Sequence, residues 1–296
     1  MMTSSATFRR RWMPLALAAP QLLIVFLFFF WPAWKAIWWS FHLVRPFGNG
    51  SVFVGAENYL RILGDESFYS SLQATVIFTA GSVLLAIFIA LLLAGCVQLN
   101  LRGRKIFRHF FIWPYAVAGA ALGVMLKFFI NPVLGPMAVV NSLWPGLWDP
   151  HLNGSEAMLA LIFAFAWTQV PFNFVVFVAA LQTVPDDYLA AAAIDGAGPV
   201  RRFFDIQLPL IAPFAFFAAV INVIEAFTHS FGLVDTLTQG GPGGATNILV
   251  YKIFSDGFVG LDLSGSSALS VIMMLCIVVL TALQFHFFSD RMGYER

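Results

Sequence analysis

Hydrophobic and polar positions along this chain fall into long blocks. Apolar runs cover about 13–34, 71–98, 109–130, 157–181, 210–234 and 265–288, and shorter polar stretches separate them. Each run has about the 20 residues that a helix needs to cross a hydrocarbon core. Backbone groups in hydrocarbon must be satisfied within their own segment, and the runs are too long for barrel strands, so six helices are predicted. Pro114, Pro171 and Pro213 fall within or near span ends and predict kinks there. The predicted fold class is all-α integral membrane, a single transmembrane domain over residues 1–296.

Composition agrees with the pattern. The chain is 60% hydrophobic and 10% charged, against roughly 25% charged in a soluble domain. Most of its surface therefore faces lipid. The net charge is +1, and no basic block is long enough to suggest nucleic acid. Charge does orient the spans. Arg9, Arg10, Arg11, Arg102, Arg104, Lys105, Arg108, Arg201, Arg202, Arg291 and Arg296 lie in alternate polar segments, eleven of the sixteen basic residues. By the positive-inside rule these segments and both termini are cytoplasmic. The first run is longer than a signal-peptide core of about 7–15 residues. Its outer end carries Trp31, Trp34, Trp38 and Trp39, a membrane-interface belt. It is read as a retained first helix. Cys96 and Cys276 lie inside apolar runs and read as small core hydrophobes. His42, His109, His151 and His286 have no ligand spacing, so no metal site is expected.

One polar stretch departs from a plain connection. Residues 182–209 join the fourth and fifth runs, and loops of that length usually have a role. Pro185 can open a helix, with Asp186 and Asp187 at its positive end. Ala190–Ala193 give a thin helical surface that another backbone could approach. Gly196 and Gly198 allow a sharp turn. Pro199 can start a second short helix carrying Arg201 and Arg202, which Pro209 ends. The prediction is a helix-turn-helix elbow on the cytoplasmic face.

Within this elbow, Ala191-Ala-Ala-Ile-Asp-Gly196, nine residues, then Ile206-Gln-Leu-Pro209 resembles the EAA signature of permease subunits in bacterial binding-protein-dependent ABC importers. Leu237-Thr-Gln-Gly-Gly-Pro-Gly-Gly-Ala-Thr246 resembles the outer loop of the sugar-permease subfamily. The first span, WPYAVAGA and the elbow are similar to permeases of glycerol-3-phosphate importers. The resemblance covers essentially the whole chain.

It implies a subunit that forms half of a pathway through the inner membrane. The implied partners are a second permease subunit, two copies of a cytoplasmic ATPase, a periplasmic or extracellular substrate-binding protein, and membrane lipid. ATP and Mg would be bound by the ATPase, with no cofactor and no catalytic residue in this chain. GxxxxGK[ST] is absent from the sequence. ATPase coupling would fall to Asp186, Asp187, Ala190, Ala191, Ala192, Asp195, Gly196, Arg201, Arg202, Ile206, Leu208 and Pro209. The family's Glu falls at Ala190, which departs from the signature and puts in doubt how the elbow is seated.

Ionisable and amide groups at membrane depth mark pathways or helix contacts. Thr168, Gln169 and Asn173 fall in the fourth run. Asn222, Glu225 and His229 fall in the fifth, at a spacing that predicts one shared helix face. Together they could bind the hydroxyls of a polyol, or tie helices together. An ionised Glu225 would repel a phosphate unless a protonated His229 or a partner offsets it. The resemblance implies glycerol-3-phosphate or a related glycerophosphodiester as cargo; the pathway groups fit the alternative, a neutral sugar, oligosaccharide or polyol, at least as well. A secondary transporter would show paired repeats, and an intramembrane enzyme a motif such as HExxH or GxSxG; neither is present.

Overall fold

The computed structural model describes residues 12–45, 50–98 and 117–291. Arg9–Arg11, Arg102, Arg104, Lys105, Arg108, His109, Pro114 and Arg296 lie outside them, as does the first part of the third predicted span. The chain divides into two compact units, Met1–Gly64 with Asp256–Ile272, and Asp65–Ser255 with Met273–Arg296.

In the first unit, α1 (Trp12–Val25), a π-helical turn (Phe26–Phe30) and α2 (Trp31–Ser40) follow one another without a break. This segment outruns the predicted 13–34 by several residues. Phe28 and Trp34 are exposed, in keeping with an apolar surface made for lipid. Lys35 places its ammonium 5.7 Å from the Trp31 ring, which holds the charge at the belt. A hairpin follows where only a loop was expected. Strands β1 (His42–Val44) and β2 (Ser51–Phe53) pair antiparallel, with Leu43 opposite Val52. Helix α3 (Glu57–Leu63) follows. Buried Asn58 donates to the Ser40 and His42 carbonyls at 2.9 and 3.2 Å. Arg61 pairs with Asp262 at 2.7 Å.

The second unit contains α4 (Glu66–Gln98), α5 (Gly119–Phe129), α6 (Met137–Leu143) and α7 (Gly154–Leu181). It continues through α8 (Asp186–Ile194), α9 (Pro199–Arg202), α10 (Leu208–Leu210) and α11 (Ala212–Thr228). Helices α12 (Phe231–Leu237) and α13 (Leu249–Phe254) follow. The last helix, α14 (Leu263–Arg291), begins in the first unit and ends in the second. The Asn153 side chain accepts from the Ser155 N–H and caps α7, which then runs unbroken through Pro171.

Four helical segments among the described residues are long and apolar enough to cross a membrane: Ala16–Ser40, Glu66–Val97, Gly154–Leu181 and Leu263–His286. The segment Pro199–Leu210 with α11 makes a fifth only as a bent pair, at 68°. Helix α5 has 11 residues, about 16 Å at the helical rise, too short to cross alone. The fifth predicted span, 210–234, is corrected. It bends at Ile211 and α11 stops at Thr228, with His229 as its C-cap; α12 is a separate turn of helix.

Helix α4 packs along α7 and α11, and two apolar clusters form between them. One gathers Phe78, Leu161, Phe165 and Ala226; the other gathers Ala90, Phe174, Phe177 and Ala218. Cys96 is exposed rather than buried, because it lies on the open side of the last turns of α4.

Candidate functional site

The elbow is built from its terminators. Pro185 is extended (ψ 133°) and leads into α8, with Asp186 and Asp187 in the first turn. Gly196 ends that helix with φ +82°. The Ala197 N–H then donates to the Ala192 carbonyl at 2.9 Å and the Gly196 N–H to the Ala193 carbonyl at 3.1 Å. This pair of reversed bonds is the Schellman closure that glycine permits. Gly198 is extended (ψ 167°), and Pro199 opens α9. A π-helical turn (Phe203–Gln207) carries the chain into α10, so Pro209 lies inside a helical turn and the bend falls at Ile211. Pro209 therefore does not terminate the second arm, as the sequence had suggested.

A few contacts anchor this elbow. Leu189, Phe203 and Leu208 pack against the cluster of Ala90, Phe177 and Ile211. Arg202 donates from Nη1 to the Leu189 carbonyl at 3.3 Å and joins the two arms. Arg201 pairs with Asp205 at 3.2 Å in the open, a type of contact worth less than about 1 kcal/mol. The remaining surface faces outward. Asp186, Asp187, Ala190, Ala191, Asp195, Gly196, Arg201 and Pro209 are exposed, while Ala192, Arg202, Ile206 and Leu208 are half-buried. Ile194 is 87% exposed and Val200 70%. No atom lies within 4 Å of where a side chain on Gly196 or Gly198 would begin.

The mid-membrane candidates separate into two kinds. Asn173 and Asn222 are fully buried, and Asn222 donates to the Asn173 side-chain oxygen at 2.7 Å. Thr168 spends its hydroxyl on the Phe165 carbonyl at 2.7 Å. Gln169 is buried. Glu225 and His229 instead form a partly exposed pair, Oε2 to Nδ1 at 3.1 Å. The expectation of one face for Asn222, Glu225 and His229 is corrected: Asn222 points into the bundle, and His229 lies past the helix end, its N–H closing on the Glu225 carbonyl.

Two features were missed in the sequence. Ser71, Thr75, Thr79 and Ser82 form a buried stripe on α4. Their spacing of four, four and three was a readable helical signal. Thr75 accepts the Leu249 N–H at 2.8 Å. Thr79, Ser82, Asn173 and Asn222 all fall between the two apolar clusters on their own helices. They form a polar layer in the bundle. The second feature is Lys252, 8% exposed, which donates to the Ser67 hydroxyl at 2.9 Å and lies 4.0 Å from Asp65. Asp65 is held below the usual carboxylate range, first by the Ser67 hydroxyl, then by the Ser67 N–H and the Lys252 charge. Among the described residues no three His, Cys, Asp or Glu side chains are grouped to hold a metal.

Residues 82–293 match the family model described as the binding-protein-dependent transport system inner membrane component. The chain belongs to this family. It is thus a multi-pass inner-membrane component of a transport system that depends on a binding protein. It is 44% identical over 289 residues to the sn-glycerol-3-phosphate transport system permease protein UgpA of Brucella abortus, covering 98% of this chain and 99% of that one. The protein of the same name from Escherichia coli O157:H7 is 41% identical over 295 residues, covering all of both chains. That from Rhizobium meliloti is 44% identical over 287 residues, covering 97% and 98%. A crystal structure of a bacterial ABC transporter involved in import of the polysaccharide alginate shares the fold, with a TM-score of 0.79 at 19% identity over 95% of this chain and 96% of that one. A second structure of an alginate transporter, in complex with an alginate pentasaccharide-bound periplasmic protein, gives 0.77 at 17% identity over 96% of each chain.

Proposed function

We propose that this chain forms half of the pathway by which an ATP-driven importer carries glycerol-3-phosphate, or a related glycerophosphodiester, into the cytoplasm. The observation that carries the reading is identity of 41–44% along whole chains to relatives named for that cargo. A second permease subunit completes the pathway. Two copies of a cytoplasmic ATPase hold ATP and Mg and seat the elbow, and both termini of this chain lie on the same side as that ATPase.

Residues Asp186–Pro209 transmit the movement. With Ala190 in place of a glutamate, the seat relies on the small-residue face, on Asp186 and Asp187, and on exposed Ile194 and Val200. Labelled glycerol-3-phosphate uptake tests the cargo. Cells lacking the chain regain ATP-dependent uptake when it is returned with its cognate binding protein. Uptake of a neutral sugar instead, with none of the phosphate ester, would contradict the reading.

A further inference from the structure

A small pocket where the ends of α5 and α12 meet residues 238–242 has a construction that the reading above does not use. Its volume is about 170 Å³, five or six times the roughly 30 Å³ that one water occupies in the liquid. That is room for a phosphoryl group and some water, and less than the 300 Å³ or so at which whole-ligand pockets begin. Lys127, His151, Thr238 and Gln239 supply its polar lining, and no carboxylate lines it.

Helix packing fixes the position of the lysine. Gly119, Gly123 and Lys127 are spaced by four and so lie along one stripe of α5. A Cβ on Gly123 would collide with the Thr236 hydroxyl, and the Leu233 carbonyl lies at 3.2 Å from that position. Small residues bring α5 and α12 into close approach, as in helix pairs that pack through glycine. One turn beyond this contact, the stripe delivers Lys127 to the end of α12, where Leu237 runs into Thr238 and Gln239.

Gln239 is held at φ +52°, a conformation rare for a side-chain-bearing residue, and its N–H donates to the Val234 carbonyl at 2.8 Å. Strain of this kind collects at functional sites. The Thr246 hydroxyl donates to the Gly241 carbonyl at 2.7 Å and lies 2.8 Å from the Thr238 hydroxyl, pinning the loop. Lys127 is exposed and has no carboxylate partner among the described residues, whereas Arg61 and Lys252 each have one. Asp149, two residues from His151, already accepts the His151 N–H at 3.1 Å.

We infer that this pocket is a receiving site for the phosphoryl group of the cargo, in which Lys127 supplies the charge and His151 and Gln239 add donors. A compact ammonium beside neutral donors suits a phosphate monoester. The site receives the head group while the polyol stays outside the pocket. This rests on the proposed cargo, and it separates head-group capture at the mouth from the polar groups deeper in the bundle.

The test uses the complete importer in liposomes with saturating loaded binding protein, following uptake of labelled glycerol-3-phosphate and ATP hydrolysis together. Lys127→Met lowers uptake about tenfold, the factor for losing one charge-assisted hydrogen bond in the transfer step. ATP hydrolysis stays within twofold, so less cargo moves per ATP. Lys127→Arg keeps at least half of the uptake. A purely structural role would lower uptake and hydrolysis in parallel, and that result overturns the proposal. Unchanged uptake in both Lys127→Met and the double variant with His151→Asn overturns it too, while leaving the cargo assignment standing. Absence of glycerol-3-phosphate uptake by the unmodified importer removes both.

Discussion

The elbow and the helical bundle it joins solve opposite problems. In the bundle, α4, α7 and α11 bury their polar side chains in a layer between two apolar clusters, and Asn173 and Asn222 bond across helices at 2.7 Å. In the elbow, apolar side chains stand open, with Ile194 at 87% and Val200 at 70% exposure. A polar group in hydrocarbon has no water to fall back on; here Asn222 pairs with Asn173, while Thr79 Oγ1, Ser82 Oγ, Asn173 Nδ2 and Asn222 Oδ1 are buried without a hydrogen-bond partner among the described residues. The bundle turns polar groups inward, whereas the elbow turns apolar ones outward, where the proposed ATPase contact would cover them.

Breaking the elbow is expected to give the largest effect. Gly196→Val places a β-branched residue at φ +82°, which disfavours the turn by about 1–2 kcal/mol. Nothing crowds the site, so the change acts on backbone direction alone. Uptake falls about tenfold, by the rate equivalent of that energy, while the amount of chain in the membrane is unchanged. Transport assays with immunoblotting of membranes check both.

Breaking the bundle is expected to affect stability first. Asn173→Leu leaves the buried Asn222 amide with only the Ala218 carbonyl to accept from it, at 2.7 Å. The loss is about 1 kcal/mol, in the range measured for hydrogen bonds between membrane helices. The double variant Asn173→Leu with Asn222→Leu is less destabilised than the sum of the singles, because no amide is left stranded. Unfolding in mixed micelles gives the double-mutant cycle. A milder effect is expected at the Glu225–His229 pair, where Glu225→Gln or His229→Ala lowers uptake severalfold if the pair faces cargo; normal uptake in both removes these residues from the pathway.

The smallest effect concerns Asp65. Its carboxyl is held low by Ser67 and Lys252, so it contributes stability that is present above its unfolded value near pH 4 and is lost as pH falls through the lower folded value. Asp65→Asn lowers stability slightly at neutral pH, leaves it nearly unchanged at the most acid end, and so flattens the profile between them. Thermal unfolding between about pH 2 and 6 covers that window.

The same contrast explains what could be read in the sequence. Apolar run length located α4, α7 and α14, because burial in lipid imposes composition on every turn. The elbow was legible through Pro185, Gly196 and Pro199, whose backbone limits act locally. The break after Thr228 was not, since apolar sequence continues through Phe231 to Val234 and only the backbone geometry at His229 separates two helices. The Ser71–Ser82 stripe passed as ordinary span sequence, because small hydroxyl residues scattered among apolar ones leave hydropathy high; Thr75 hides its hydroxyl by donating to the Ser71 carbonyl at 2.6 Å. The packing of Gly119 and Gly123 on α12 depends on which helices meet, which no local pattern reports.

The proposed contact between elbow and ATPase is tested most directly by cross-linking. In a chain with Cys96→Ser and Cys276→Ala, Ile194→Cys offers a single thiol on the exposed tip of α8. In the assembled importer a short bifunctional reagent is predicted to join this position to the ATPase subunit, and the joined product stops uptake until it is cleaved. A thiol that reacts freely in the assembled complex, forms no such product and leaves uptake intact when modified would contradict the account.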